Sequence, residues 1–201
     1  MAKAEKLDLY KEHKAEYVAA KKPVLITVKP ARYLTFAGAG KPGGPAFQAA
    51  VGALYAMAFT IKMTKKFAGQ DYKVCHLEGL YWTPGGDVFS EEAAETLEWK
   101  LLIRVPDFIN SRDLKAALGE IEARGKAPEA AQVKLETIRE GRCVQLLHVG
   151  PYCGEPRAIA QMKAFAEAQG LALKGPHHEI YLSDPRRVSP ERLKTILRCP
   201  V

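Results

Sequence analysis

Three residues that can exchange protons alternate along one short segment near the C-terminus: His177, Glu179 and Tyr181. Successive side chains of a strand point to opposite faces, so these three share one face while Ile180 and Leu182 share the other. We expect the apolar pair to meet the helices and Glu179 to point into a groove on the open face. A partly desolvated carboxyl there would have a raised pKa and could accept a proton, orient water or bind a cation.

Aromatic side chains could wall such a groove for a planar or cationic compound, through stacking and cation–π attraction. The candidates are Tyr81, Trp82, Trp99, Phe108 and Tyr152. Trp82 is the weakest of them, because the alternation that places Tyr81 in the groove turns Trp82 towards the helices. Packing in the core is the alternative for both tryptophans. For Glu179 the alternative is a surface ion pair with Arg186 or Arg187.

The glycine loop from Gly38 to Gly43 matches the G-x-G-x-x-G pattern of dinucleotide sites. Pro42 and Pro45 argue against that function, because they remove or redirect amide donors that would face a phosphate. The four cysteines are scattered and form no Cys-x-x-Cys pair, so we expect free thiols. No cofactor is predicted.

A metal site is a second alternative for the histidines. His177 and Glu179 could join His76 or His148 around an ion, because imidazole and carboxylate groups are common metal ligands. Two such residues at positions i and i+2 of a strand are frequent by chance. We therefore expect no metal, and we assign His177 a supporting position beside Glu179.

The composition suits a globular chain that is neither a membrane nor a nucleic-acid-binding protein. It has 201 residues, 47% of them hydrophobic, and no apolar run approaching the roughly 18 residues of a membrane span. The first 22 residues lack the apolar core of a signal peptide. The net charge is +7, but the basic residues are spread along the chain rather than clustered. We expect a cytoplasmic protein, and the oligomeric state stays open.

The elements that would position these residues occur twice. The first set is an alternating segment Val24 to Phe36, a glycine loop, a helix from Pro45 to about Phe67, and strands Tyr72 to Trp82 and Thr96 to Val105. The turn-rich stretch Thr83 to Asp87 separates those two strands. The second set is strands Val133 to Ile138 and Arg142 to Val149, a helix from about Glu155 to Gln169, and strands near His178 to Leu182 and Leu193 to Arg198.

Residue matches strengthen the repeat. Leu80-Tyr-Trp-Thr-Pro84 resembles Ile180-Tyr-Leu-Ser-Asp-Pro185, which makes Tyr81 the counterpart of Tyr181 and Gly79 the counterpart of Glu179. We predict an α+β fold of duplicated strand-helix-strand-strand modules, with antiparallel sheets, helices on one face and a ligand groove on the other. The single domain would comprise repeats at about 23–110 and 130–201, joined by a helix near 111–124 with Ser111 as its cap.

The C-terminal residues carry a family resemblance. His177-His-Glu-Ile-Tyr-Leu-Ser-Asp-Pro-Arg186, then Leu193-Lys-Thr-Ile-Leu-Arg198, and also Val149-Gly-Pro-Tyr152 resemble signatures of GyrI-like ligand-binding proteins, and the resemblance runs from about Val24 to the C-terminus. It implies a small hydrophobic or aromatic ligand. Some relatives carry a DNA-binding region; only some 22 residues precede the first strand here, so the chain resembles the stand-alone branch. Some members of that branch are similar to hydrolases that open the cyclopropane ring of genotoxic natural products.

The resemblance supports three hypotheses. If the protein is a hydrolase, Glu179 would activate a water molecule that attacks a strained ring. Tyr152 or Tyr181 would stabilise the charge developing on the substrate carbonyl. If the protein only binds, its groove would sense or sequester xenobiotics without altering them. As a relative of gyrase inhibitors, the chain would bind a protein partner such as a topoisomerase. The sequence does not separate these.

Overall fold

The computed structural model describes residues 6–83 and 97–201, which form eight strands, five α-helices and three short 3-10 helices among them. The strands are β1 Val24–Val28, β2 Ala31–Ala39, β3 Leu77–Trp82, β4 Glu98–Arg104, β5 Lys134–Ile138, β6 Gly141–Val149, β7 His177–Tyr181 and β8 Lys194–Pro200. The helices are α1 Leu9–Glu12, α2 Lys14–Tyr17, α3 Pro45–Phe67, α4 Ser111–Ala123 and α5 Glu155–Ala168.

The strands form one antiparallel sheet in the order β1-β6-β8-β7-β3-β4-β2-β5. The order is symmetric about the contact between β3 and β7, where the two halves join edge to edge. The outermost strands are exchanged, since β1 pairs with β6 of the second half and β5 pairs with β2 of the first. The predicted α+β fold with duplicated antiparallel modules is confirmed, with one continuous sheet in place of two.

Several element boundaries differ from the prediction. The segment predicted as one strand from Val24 is two, because Pro30 lacks the amide donor needed in a continuing ladder. The helix between the repeats is capped by Asn110, whose side chain accepts from the Arg112 amide, and not by Ser111. The strand predicted from Tyr72 begins at Leu77. Most of the predicted turn at 83–87 and the start of the next strand lie outside the described residues.

The long helices pack on separate parts of the same face. α3 lies on β2 and β4, and α5 lies on β6. The central strands β3 and β7 therefore run between the two helices. By length and composition α3 could cross a membrane, but such a helix is weak evidence by itself, and Ala50, Leu54, Met57 and Ile61 are buried in the core against the sheet.

The opposite face is covered by the N-terminal segment, and this overturns the predicted direction of Glu179. Tyr17 of α2 packs against Ile180 and Ile196 on that face. Glu179 pairs across the sheet with Leu197, which packs with α5 residues, so Glu179 faces the helices. The expectation that Ile180 meets the helices of the repeats, α3 and α5, is wrong, because an apolar residue finds a buried partner on either face of this sheet.

A buried charged network holds the N-terminal face together. His178 is fully buried and donates from Nδ1 to Glu140 (2.8 Å) and from Nε2 to Glu78 (3.0 Å). Burial opposes the charged imidazole, yet the Glu140 charge and the hydrogen bonds of both carboxylates raise the pKa of His178 to about 9. Arg198 also donates to Glu140 (2.8 Å). The network therefore carries paired charges that satisfy each other away from water.

The N-terminal segment is attached to this network through Glu16. Arg104 donates to the Glu16 carboxylate (2.6 Å), and Arg198 donates to the Glu16 main-chain carbonyl (2.6 Å). The hydroxyl of Tyr17 donates to Glu78 (3.1 Å). Arg104 and Arg198 occupy equivalent positions in the two repeats, so both halves of the sheet hold the same segment.

The His178 network predicts a loss of stability in mild alkali. A histidine whose folded pKa is raised contributes stability that is complete below its unfolded pKa of about 6.5 and is lost as pH rises through about 9. The free energy of unfolding should fall by on the order of 3 kcal/mol across that window. Urea unfolding of the wild type and of His178→Gln at several pH values measures it. Parallel pH curves for the two proteins would contradict the assignment.

Candidate functional site

The register of β3 and β7 creates the candidate site. Gly79 lies directly opposite Glu179, and Tyr81 lies opposite His177, all on the face between α3 and α5. A Cβ atom on Gly79 would lie 2.7 Å from the hydroxyl and from a ring carbon of Tyr81. Glycine at this position therefore gives the Tyr81 ring room to lie beside Glu179. The sequence repeat predicted this asymmetric pair.

A chain of hydroxyl groups ends on the Glu179 carboxyl. The hydroxyl of Tyr181 donates to Glu179 Oε2 (2.7 Å), and the hydroxyls of Tyr81 and Tyr181 lie 2.5 Å apart. Tyr81 is 2% exposed and Glu179 is 8% exposed. The Glu179 carboxyl is thus held in one orientation, and a small fraction of the residue is exposed to solvent.

Burial sets the protonation states of Glu179 and of the tyrosines bonded to it. Desolvation raises the pKa of Glu179 to about 7, although hydrogen bonds with Tyr181 and Glu155 and the charge of His178 act in the opposite direction. Desolvation and the neighbouring carboxyl also raise the pKa of Tyr181 well above its usual value. Near neutral pH the tyrosines stay protonated as donors, and Glu179 can both accept and release a proton.

His177 is buried beside Glu179 in its neutral form. Its Nε2 lies 3.6 Å from Glu179 Oε1, and its Nδ1 lies 3.4 Å from Cys199 Sγ. Burial, together with the charge of His178, lowers the pKa of His177 to about 3. This ring supplies no positive charge to Glu179. It limits how the carboxyl can turn.

Glu155 is the site residue that the sequence analysis missed. It is the first residue of α5, is 6% exposed, and hydrogen-bonds Glu179. Such a bond between two carboxyls requires a proton on one of them. The available signal was its position three residues after Tyr152, which ends a segment that carries the family resemblance. An acid in the first helical turn is usually explained by the helix dipole alone.

Tyr152 forms the exposed edge of the site. It is 40% exposed, and its ring meets that of Tyr181 edge-on with centroids 5.9 Å apart. Burial, followed by the charges of Glu155 and Glu179, raises the pKa of Tyr152 to about 12. The Tyr152 hydroxyl is therefore a proton donor at neutral pH, on a ring that contacts Tyr181 and is partly exposed to solvent.

The structure does not bring the other predicted aromatics to this cluster. Trp99 is 1% exposed, packs on Phe47 and donates to the Gly40 carbonyl (3.1 Å). Trp82 lies on the face covered by the N-terminal segment and donates to Glu98, opposite to its expected direction. Phe108 packs edge-on against Tyr72.

The surface ion pair with Arg186 or Arg187, which was the alternative prediction for Glu179, does not form. Arg186 and Arg187 both pair with Asp184 (2.9 and 3.6 Å). Within the described ranges, no lysine or arginine forms an ion pair with Glu179. A buried carboxyl without a fixed cation is typical of a functional site rather than of a surface ion pair.

Glu155, His177 and Glu179 are also the residues that could hold a metal ion. One donor atom from each lies within 4.8 Å of the others. The hydrogen bond between the two carboxyls is the competing arrangement of the same atoms. A shallow depression elsewhere is lined by Arg32, Asn110, Ser111, Leu135, Glu136 and Thr137. Its one carboxylate already bonds Thr35 and Lys100.

Comparisons with known proteins agree with this architecture. The GyrI-like small molecule binding domain family matches residues 21–201. A crystal structure of an uncharacterized conserved protein from Listeria innocua has a TM-score of 0.89 at 40% identity, covering 97% of this chain and 99% of that one. A crystal structure of a hydrolase from Listeria innocua has a TM-score of 0.87 at 37% identity, covering 97% and 99%. No curated protein sequence matches.

Gly79→Ala should disturb the site by contact alone. The added methyl group would collide with the buried Tyr81 ring, and overpacking of this kind costs roughly 1 to 3 kcal/mol. Gly52→Ala is the matched control, because nothing lies within 4 Å of a Cβ at that position of α3. Urea unfolding should show destabilisation by the first change and none by the second. Equal stability of the two variants would mean that Gly79 is not required for space.

Proposed function

Since the chain belongs to the GyrI-like small molecule binding domain family, we propose that its small-molecule site is the strip between α3 and α5, centred on Glu179. The observation that carries the proposal is one buried carboxyl with a pKa near neutrality, which accepts a hydrogen bond from Tyr181, whose ring contacts the partly exposed Tyr152. The ligand we propose is small, hydrophobic, and planar or cationic. Tyr152 supplies a ring face for it.

The reaction we propose is hydrolysis of a cyclopropane conjugated to a carbonyl group. Glu179, as the carboxylate, takes a proton from a water molecule while the water oxygen bonds to a ring carbon. The ring carbon–carbon bond breaks, and its electron pair moves into the conjugated carbonyl. Tyr152 donates a hydrogen bond to the oxygen that becomes negative. Support for hydrolysis comes from the site chemistry and from the Listeria innocua relative described as a hydrolase.

Tyr181 has a different role in this proposal from Tyr152. Its hydroxyl already donates to Glu179 (2.7 Å), so it orients the base rather than the substrate. Tyr152 is partly exposed and its hydroxyl is protonated, which suits contact with the substrate. His177 and Tyr81 complete the wall behind the carboxyl.

Binding without reaction is the second candidate. A carboxyl with no lysine or arginine partner among the described residues would pair with a cationic ligand, and the family description refers to binding alone. Such a protein would sequester its ligand unchanged. A product of altered mass separates the two functions, because only hydrolysis adds the mass of water.

Glu179→Gln should abolish turnover but retain binding. The amide keeps the shape and removes the proton acceptor, and loss of a general base costs about 100-fold or more in rate. Mass spectrometry of a cyclopropane-bearing aromatic ketone after incubation measures the product. Glu191→Gln, the same change at an exposed glutamate, is the control and should leave turnover intact. Turnover by Glu179→Gln at the wild-type rate would remove this residue from the mechanism.

Turnover should also rise with pH through about 7. The base is the ionised form of Glu179, and below its pKa of about 7 that form is depleted. Measuring kcat/KM from pH 5 to 8.5 on the wild type gives the acidic limb of the profile. A limb near pH 4.5 would show that the reacting group is an ordinary exposed carboxyl.

A further inference from the structure

A pair of aromatic side chains on α3 has no part in the site described so far. Tyr55 and Phe59 lie about one helical turn apart, and their rings are stacked, with centroids 6.0 Å apart and planes inclined by 25°. Phe59 is 53% exposed, whereas Tyr55 is partly buried. The helix therefore presents a flat aromatic surface to solvent, stacked on a second ring that is anchored in the protein.

The surroundings of Tyr55 show which side of α3 this pair occupies. Tyr55 packs at the margin of the core beneath α3, as Leu77 and Tyr181 also do. Burial raises the pKa of Tyr55, and a main-chain hydrogen bond with Leu77 opposes that shift. Leu77 begins β3 beside the end of β7, since Glu78 lies directly opposite Ile180. Tyr55 is thus on the side of α3 that faces the strip between α3 and α5.

Tyr152 reaches the same end of the strip from the α5 side. Its ring contacts that of Tyr181, with centroids 5.9 Å apart, and Tyr181 itself packs against the core beneath α3. Burial is the main cause that raises the pKa of Tyr55 and of Tyr152, and the charge of Asp184, in the loop after β7, adds to both shifts. Aromatic rings therefore approach Tyr181 from the α3 side and from the α5 side.

We propose that Tyr55 and Phe59 form the wall of the small-molecule site opposite Tyr152, and that this wall selects ligands with a flat, fused-ring body. A flat ring system can stack on Phe59 and contact the Tyr152 ring, whereas a bulky saturated compound of the same charge gains neither stacking contact. This inference rests on the proposed function, since it takes Glu179 as the centre of the site. It assigns selection for ring shape to α3 and selection for charge to Glu179.

The same helix supplies a control surface. Met63 and Phe67, on the last turns of α3, are 40% and 81% exposed. Phe67 lies eight residues after Phe59, which is about 12 Å further along the helix axis. An aromatic compound that merely adheres to exposed rings would bind at Phe67 as readily as at Phe59. A ligand held between the two helices depends on Phe59 alone.

A matched pair of variants tests the wall. Phe59→Leu keeps an apolar side chain and removes the ring, and Phe67→Leu makes the same change at the control surface. The probes are 9-aminoacridine, a flat fused-ring cation, and 1-adamantylammonium, a bulky saturated cation. Isothermal titration calorimetry with the full-length protein should show that Phe59→Leu weakens acridine binding by about threefold to tenfold, the loss expected for one aromatic contact. Adamantylammonium binding should change by less than about twofold, and Phe67→Leu should change neither.

Intermolecular NOEs in the wild type measure the contact without any substitution. Bound 9-aminoacridine should give NOEs to the rings of both Phe59 and Tyr152. NOEs to Tyr152 with none to Phe59 would overturn the wall, as would equal losses of acridine affinity in Phe59→Leu and Phe67→Leu. Urea unfolding checks that Phe59→Leu is folded, which we expect at a position more than half exposed. If that variant is unstable, the wild-type NOEs decide.

The wall and the proposed function fail in different ways. Tyr152→Leu and Glu179→Gln alter the proposed site without touching α3. If either of them weakens acridine binding and Phe59→Leu does not, the site stands and the wall is rejected. If the wild type turns over a cyclopropane compound but does not bind 9-aminoacridine, the hydrolase stands and selection by the wall is rejected. If only Phe59→Leu weakens binding, the α3 rings bind apart from Glu179, and both proposals are rejected.

Discussion

The pairing of β3 with β7 is the contact on which the rest of the structure depends. It joins the two repeats into one sheet, and its register sets Gly79 opposite Glu179. The missing side chain on one strand leaves the space that Tyr81 occupies beside the acid. A shift of one residue would turn Glu179 to the other face, where Glu78 and His178 already form a charged network. The register therefore determines both the site and its separation from that network.

Duplication supplies the scaffold, and divergence between the copies supplies the chemistry. Tyr81 and Tyr181 occupy equivalent positions and meet at the centre, with their hydroxyls 2.5 Å apart. Gly79 and Glu179 are also equivalent, but only one of them carries an acid. A symmetric pair of glutamates at that position would bring two charges together without room for either ring. With glycine at position 79, the one acid on the sheet leaves room for the Tyr81 ring.

The strip between the helices contains proton donors and carboxyls but no fixed positive charge among the described residues. Its tyrosines stay protonated, and His177 stays neutral because burial lowers its pKa. The neutral or cationic ligand that we propose is consistent with this distribution of charge. The reverse face of the same strands contains charges that are already paired, in His178, Glu140 and Arg198. That face serves stability, and it attaches the N-terminal segment through Glu16.

The sequence by itself determined the α+β class, the repeat and the equivalence of Tyr81 with Tyr181, and it selected Glu179 as a candidate, because periodicity and residue matches are local properties of the chain. It did not determine the direction of Glu179: Ile180 satisfies its burial equally well against Tyr17 or against a helix, and only the covered second face decides between them. It also did not reveal Glu155, since an acid that begins a helix has an ordinary local explanation. Whether two carboxyls meet depends on how α5 lies against β7, and that contact between residues 24 positions apart exists only in the folded chain.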